Sequence, residues 1–119
     1  MDIEKLLLDL EGQFWLGDAE FYQRHLTDDS LMVFAEPIGA MIKADTIQTS
    51  AVGPRWAQVR FEEVRVLKLS EVAASVTYKV SAGRNGKDPG YMALASSAYV
   101  KEGESWKLAF HQQMPGGEV

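Results

Sequence analysis

Ile3, Leu6, Leu7, Leu10 and Phe14 recur at intervals of three and four, while Glu4, Lys5, Asp9 and Glu11 take the other faces. That spacing lines up one apolar stripe and predicts an amphipathic helix, with Asp2 as its N-cap. Gly17-Asp18 breaks the stripe and offers a second cap. Phe21, Tyr22, His25 and Leu26 then continue as a shorter helix that ends at Thr27-Asp28-Asp29-Ser30. Leu31 to Glu36 reads as a strand, stopped by Pro37 and Gly39. Asp45 is placed to cap a third, short helix through Thr46, Ile47 and Ala51, closed by Gly53-Pro54.

From Val59 onward the period changes from helical to alternating. Val59 to Leu69 and Val72 to Ala82 read as two strands around a tight Ser70-Glu71 turn. Ser75, Thr77 and Lys79 alternate with Val76, Tyr78 and Val80, so one face of the second strand is buried and the other polar. Gly83 to Gly90 is a loop, either a lid over a pocket or an ordinary hairpin connection. Tyr91 to Lys101 and Trp106 to Gln113 form two further strands around Glu102-Gly103-Glu104. Strands this long coil and bulge, and Glu62-Glu63 is the expected bulge. Helices first and strands afterwards indicate an α+β fold. The architecture expected is a cone-shaped half-barrel, in which three N-terminal helices pack into a long curved antiparallel sheet, leaving a mouth for a small ligand.

Length and charge narrow the picture. The 119 residues fit one domain, 1–119, with no repeat or linker dividing it. The chain has no cysteine, which removes disulfides and thiolate chemistry. Its net charge of −5 comes with basic residues scattered singly, so nucleic acid is not expected as a partner. No apolar run approaches the roughly 20 residues of a membrane span, and the N-terminal residues do not read as an export signal, so the expected location is cytoplasmic.

Several local motifs follow one another in a familiar order. They are Phe14-Trp15-Leu16-Gly17-Asp18 at the break between helices, Asp28-Asp29 before the first strand, Glu36-Pro37-Ile38-Gly39, and the ending Trp106-Lys107-Leu108-Ala109-Phe110-His111-Gln112-Gln113. With these the whole chain resembles the nuclear transport factor 2-like superfamily, in its SnoaL-like and ketosteroid-isomerase-like branch, and small bacterial members of unassigned function above all. The resemblance implies a cystatin-like α+β roll. It leaves activity open, since the superfamily holds isomerases, dehydratases, cyclases, hydrolases, association domains and transport adaptors.

The resemblance places Glu36 where the isomerase pattern carries a general-base aspartate before a Pro-x-Gly turn. Desolvation at a cavity wall suits such a carboxylate to proton transfer; the alternative is a solvated residue that ends a strand. The isomerase's oxyanion donors do not match: the helix tyrosine falls near Leu10 and the strand acid near Ser96. Steroid isomerisation by that mechanism is therefore not expected. The same counting puts His111 and Gln113 on the pocket side, where His111 serves as acid, base or ligand anchor near neutral pH, or as a satisfied core histidine.

His25 reads as a helix-face residue. Two distant histidines without short-spaced ligand motifs point to no metal, and no cofactor is implied. Trp15, Tyr22, Phe34, Trp56 and Tyr78 are the aromatic candidates for the lining, though such spacings more often mean plain core. Ser96-Ser97 lacks the surroundings of a nucleophile. Met92 to Ala98 is small or apolar on both faces, which suits a homodimer that packs through the outer face of the sheet.

The expected site is then Glu36 and His111 as catalytic residues, with Trp15, Tyr22, Trp56, Tyr78, Ser96 and Gln113 binding a small, partly apolar organic molecule. Acid/base isomerase, dehydratase or cyclase chemistry stands against a non-catalytic ligand-binding or dimerising module.

Overall fold

The computed structural model describes residues 2–52, 56–84 and 90–116. Helix α1 spans Ile3–Leu16, and Asp2 caps it by accepting the Glu4 backbone N–H at 3.0 Å. Helix α2 spans Ala19–His25, with the Asp18 carboxylate accepting from the Phe21 N–H at 3.0 Å. Both caps satisfy donors that the first turn of a helix leaves without partners. Between the helices, a Cβ at Gly17 would lie 2.2 Å from the Gln13 carbonyl oxygen, so only glycine permits this tight exit. Helix α3 spans Lys43–Val52 and starts two residues before the expected Asp45 cap, which falls in its first turn. The expected Gly53-Pro54 stop lies outside the described residues, as does most of the Gly83–Gly90 loop.

Six strands follow in chain order: β1 Leu26–Phe34, β2 Gly39–Ile42, β3 Gln58–Ser70, β4 Ala73–Gly83, β5 Tyr91–Glu102 and β6 Ser105–Pro115. They form one sheet in the order β2-β1-β6-β5-β4-β3. The fold is α+β, three helices against this sheet. The sheet is mixed and not antiparallel throughout, because β1 and β6 run parallel. No hairpin can join parallel neighbours, and the rest of the sheet is built in the interval between these two.

Two other details differ from the sequence reading. Thr27 to Ser30 is part of β1 and does not end a helix. Its polar residues look like a break, yet Leu26, Thr27 and Ser30 are buried and Leu26 pairs with Leu108. Strand β2 is only four residues long and runs straight into α3, so no pattern announces it. Strand β1 stops at Phe34, leaving Glu36 in the turn before Gly39, whose φ of +70° favours glycine.

The bulge falls where expected. The β3–β4 register passes from Glu62↔Lys79 to Arg65↔Thr77, and Glu63 takes a φ of 53°. Two residues oppose one there, which bends the strand and increases its twist. The core lies between α1 and the concave face of the sheet, where Leu7, Leu10, Phe14 and Phe21 meet Val76, Tyr78, Val80, Tyr99 and Leu108. Each large apolar side chain buried this way contributes about 1.5–3 kcal/mol. No described helix is long and apolar enough to cross a membrane.

Candidate functional site

The concave face of the sheet does not pack fully against the helices. Toward the C-terminal end of α1 it leaves a cavity of about 650 Å³. One wall is aromatic: Trp15 lies 6.2 Å from both Trp56 and Tyr91, which stack on each other at 5.3 Å. Met32, Phe34 and Leu108 continue the apolar lining from β1 and β6, and α3 adds the hydroxyls of Thr46, Thr49 and Ser50. The Tyr22 hydroxyl donates to the Phe14 carbonyl oxygen, tying α2 to the last turns of α1 beside the cavity.

A chain of hydrogen bonds runs from this lining into the core. The Tyr91 hydroxyl donates to Gln113 Oε1 at 2.6 Å, and Gln113 Nε2 lies 3.0 Å from His111 Nε2. An amide nitrogen can only donate, so His111 Nε2 is the acceptor and the ring proton sits on Nδ1. Nδ1 lies 2.7 Å from Ser97 Oγ and donates to it. Ser97 also lies near enough to the Tyr78 hydroxyl to favour its ionised form. The Tyr78 oxygen accepts from Trp15 Nε1 at 3.0 Å, and its own proton goes to Glu11 Oε1. Tyr99 donates to Glu11 Oε2 at 2.5 Å. No described buried side-chain nitrogen or oxygen lacks a partner, so the network is closed.

Glu11 is the feature that the sequence hid. It lies off the apolar stripe of α1, yet it is 1% exposed. Two tyrosines from β4 and β5 reach down to accommodate it. Burial and the neighbouring Glu11 carboxylate push the Tyr78 hydroxyl far above the usual tyrosine range, and Tyr99 follows for the same reasons. His111 is moved the other way. Burial lowers it below its ordinary 6.5, and Glu11 opposes that shift only in part. At neutral pH the ring is therefore uncharged, as the tautomer above requires. Here the helix carries the acid and the strands carry the tyrosines.

Of the residues read from the sequence, Trp15, Tyr22, Glu36, Trp56, His111 and Gln113 all line the cavity. Glu36 is exposed, on the turn after β1, and so sits at the rim and not in a desolvated wall. Tyr78 lies beneath the cavity, in the buried network with Glu11. Ser96 is on the opposite face of the sheet, in a shallow depression with Gln112 and Met114. Its neighbour Ser97 points inward, opposite His111 in the β5–β6 register. A one-residue offset reverses the face, and the pairing Tyr78↔Ala95 carries the clear alternation of β4 across to Ser97. Tyr91 and Arg84, which flank the β4–β5 loop, also line the cavity and were not singled out.

This architecture recurs among solved structures. A protein of unknown function from Prochlorococcus marinus, described as nuclear transport factor 2-like, superposes with a TM-score of 0.78 at 19% identity, over 100% of this chain and 97% of its own. The chain has the nuclear transport factor 2-like fold. A protein from Parabacteroides distasonis, provisionally described as a ketosteroid isomerase, matches this fold with a TM-score of 0.79 at 11% identity, over 97% and 89% of the two chains. The association domain of C. elegans CaMKII matches at 0.74 and 21% identity, over 95% and 92%. No family model and no curated protein matches the sequence.

Proposed function

We propose that this nuclear transport factor 2-like domain binds a small, partly apolar organic molecule in the cavity beneath α1 and carries out acid/base chemistry on it, of isomerase, dehydratase or cyclase type. The observation that carries the reading is the His111–Gln113 pair set in an otherwise largely apolar lining. The volume falls within the roughly 300–1,000 Å³ of small-molecule sites, and a few convergent polar groups in an apolar wall are what orient a ligand. One N–H of the Gln113 amide is given to His111; the other is a donor for a ligand carbonyl. His111, uncharged, accepts at Nε2 from a ligand hydroxyl that displaces the amide. Glu36 at the rim is the group that gives or takes a proton.

A thermal-shift screen against steroids, polyketide fragments, aromatic acids and hydroxy acids tests the binding. A saturable rise in melting temperature is expected for one chemical class, and turnover of that class should fall in Glu36→Gln with the melting temperature unchanged. A silent screen would remove the enzyme reading.

A dimerising module is the second reading, favoured by the outer face of the sheet. Met92, Leu94 and Met114 are 45%, 48% and 59% exposed there, and Leu94 pairs with Met114. Clustered large apolar side chains on a sheet face suit a second copy of the chain. The fold's occurrence in an association domain is consistent with that use. Light scattering at micromolar concentration is expected to give a dimer, and Leu94→Glu a monomer; a monomeric parent protein would end this reading.

A further inference from the structure

Arg84 is the one cation among the described residues that line the cavity, in a chain whose net charge is −5. Its guanidinium lies over the Trp56 ring, 3.7 Å from the centroid. It makes no ion pair with any described residue. Stacking of this kind occupies the flat face of the guanidinium and fixes its plane. The N–H groups around its edge stay available, in the fork that matches a carboxylate with two parallel hydrogen bonds. Trp56 is itself stacked on Tyr91 and tilted against Trp15, and Trp15 meets the His111 ring edge-on at 6.3 Å. Arg84 thus stands at the outer end of a continuous aromatic wall that leads inward to His111. Two polar atoms of that wall are already engaged, the Tyr91 hydroxyl with Gln113 and Trp15 Nε1 with Tyr78, so it offers a ligand mainly ring faces and edges. Glu36, the one acid among the described lining residues, belongs to the turn after β1, three strands away in the sheet order.

Building on the binding reading above, we propose that the ligand is an aromatic carboxylate, with its ring along Trp15, Trp56 and Tyr91 and its carboxylate paired with Arg84. An amine in that position would meet a like charge, and a neutral ring would leave the guanidinium unused.

The test measures binding of naphthalene-2-carboxylate and its primary amide to the purified protein, by tryptophan fluorescence and calorimetry at low salt. The two probes share a ring and differ in charge. The carboxylate is expected to bind at least about tenfold more tightly, the scale of one charge-assisted contact, and to weaken as salt is added. In Arg84→Gln the preference should fall to about one, with the amide's affinity unchanged; because Arg84 is exposed, folding should survive. Equal binding of both probes, or a preference that persists in Arg84→Gln, overturns the carboxylate assignment and leaves the cavity reading standing. Failure of both probes to bind overturns the aromatic-carboxylate assignment, and the cavity reading is then decided by the thermal-shift screen.

Discussion

His111 Nδ1 lies 3.9 Å from Glu11 Oε1, two buried ionisable groups that face each other without sharing a proton. His111 is hydrogen-bonded to Ser97, and Glu11 to Tyr78. The carboxylate is committed to two tyrosines, and the imidazole is kept neutral by burial. The pair therefore fixes the state in which His111 meets whatever enters the cavity, and it ties that state to the stability of the whole domain.

Removing Glu11 leaves two tyrosine hydroxyls without an acceptor in the core. Glu11→Ala should cost about 3 kcal/mol, from unsatisfied buried donors and the space left behind. Glu11→Gln retains one acceptor oxygen and should cost about 1–2 kcal/mol. Urea unfolding measures both; equal, negligible losses would show that the network contributes little.

The histidine gives a pH signature. Its folded value is depressed below 6.5, so between that value and 6.5 the unfolded chain binds more protons than the folded one. The stability tied to a neutral His111 is present in full above about pH 6.5 and is lost as pH falls toward the depressed value. A His111→Gln variant should lose less stability than the parent over that interval. NMR titration should show the His111 ring protonating at lower pH than a free imidazole; an ordinary titration near 6.5 would contradict its burial.

Tyrosine absorbance offers an independent check at the alkaline end. The chain has four tyrosines. Tyr78 and Tyr99 are both held well above the ordinary value of 10. Their protonated forms stabilise the fold below about pH 10, and that contribution is lost as pH rises further. The phenolate signal of these two should appear only with unfolding, and Glu11→Gln should bring it to lower pH.

The two adjacent serines should behave oppositely. Ser97→Ala removes the acceptor of the His111 Nδ1 proton and should cost about 1–2 kcal/mol while shifting the His111 titration. Ser96→Ala, on the outer face, should leave both unchanged. Similar effects from the two would mean that the β5 register is wrong.

The fold was largely legible because its strands alternate and its helices carry caps. Asp2, Asp18 and the Glu63 bulge each have a local signature that tertiary context did not override. The parallel pairing of β1 with β6 has none, since register between distant strands leaves no mark within either. Part of the lining was found through motif order: Trp15 and His111 line the cavity, while Glu36 lies at its exposed rim. Glu11 was hidden for a physical reason. A carboxylate beside Leu10 looks solvated until Tyr78 and Tyr99 arrive from 67 and 88 residues away to receive it. Ser96 was preferred to Ser97 because counting from a hairpin crosses the β5–β6 irregularity at Ala98/Tyr99, whereas counting across from Tyr78 does not.

Strand β6 is the last of the strands to be synthesised, yet it lies between β1 and β5 and joins the two parts of the sheet. On a translating ribosome, the edge of β1 that faces away from β2 must wait for it unpaired. Contacts between segments so far apart in sequence are slow to form. Assembly of this domain is therefore governed from its far end: the segment that supplies His111 is also the one whose arrival unites the sheet.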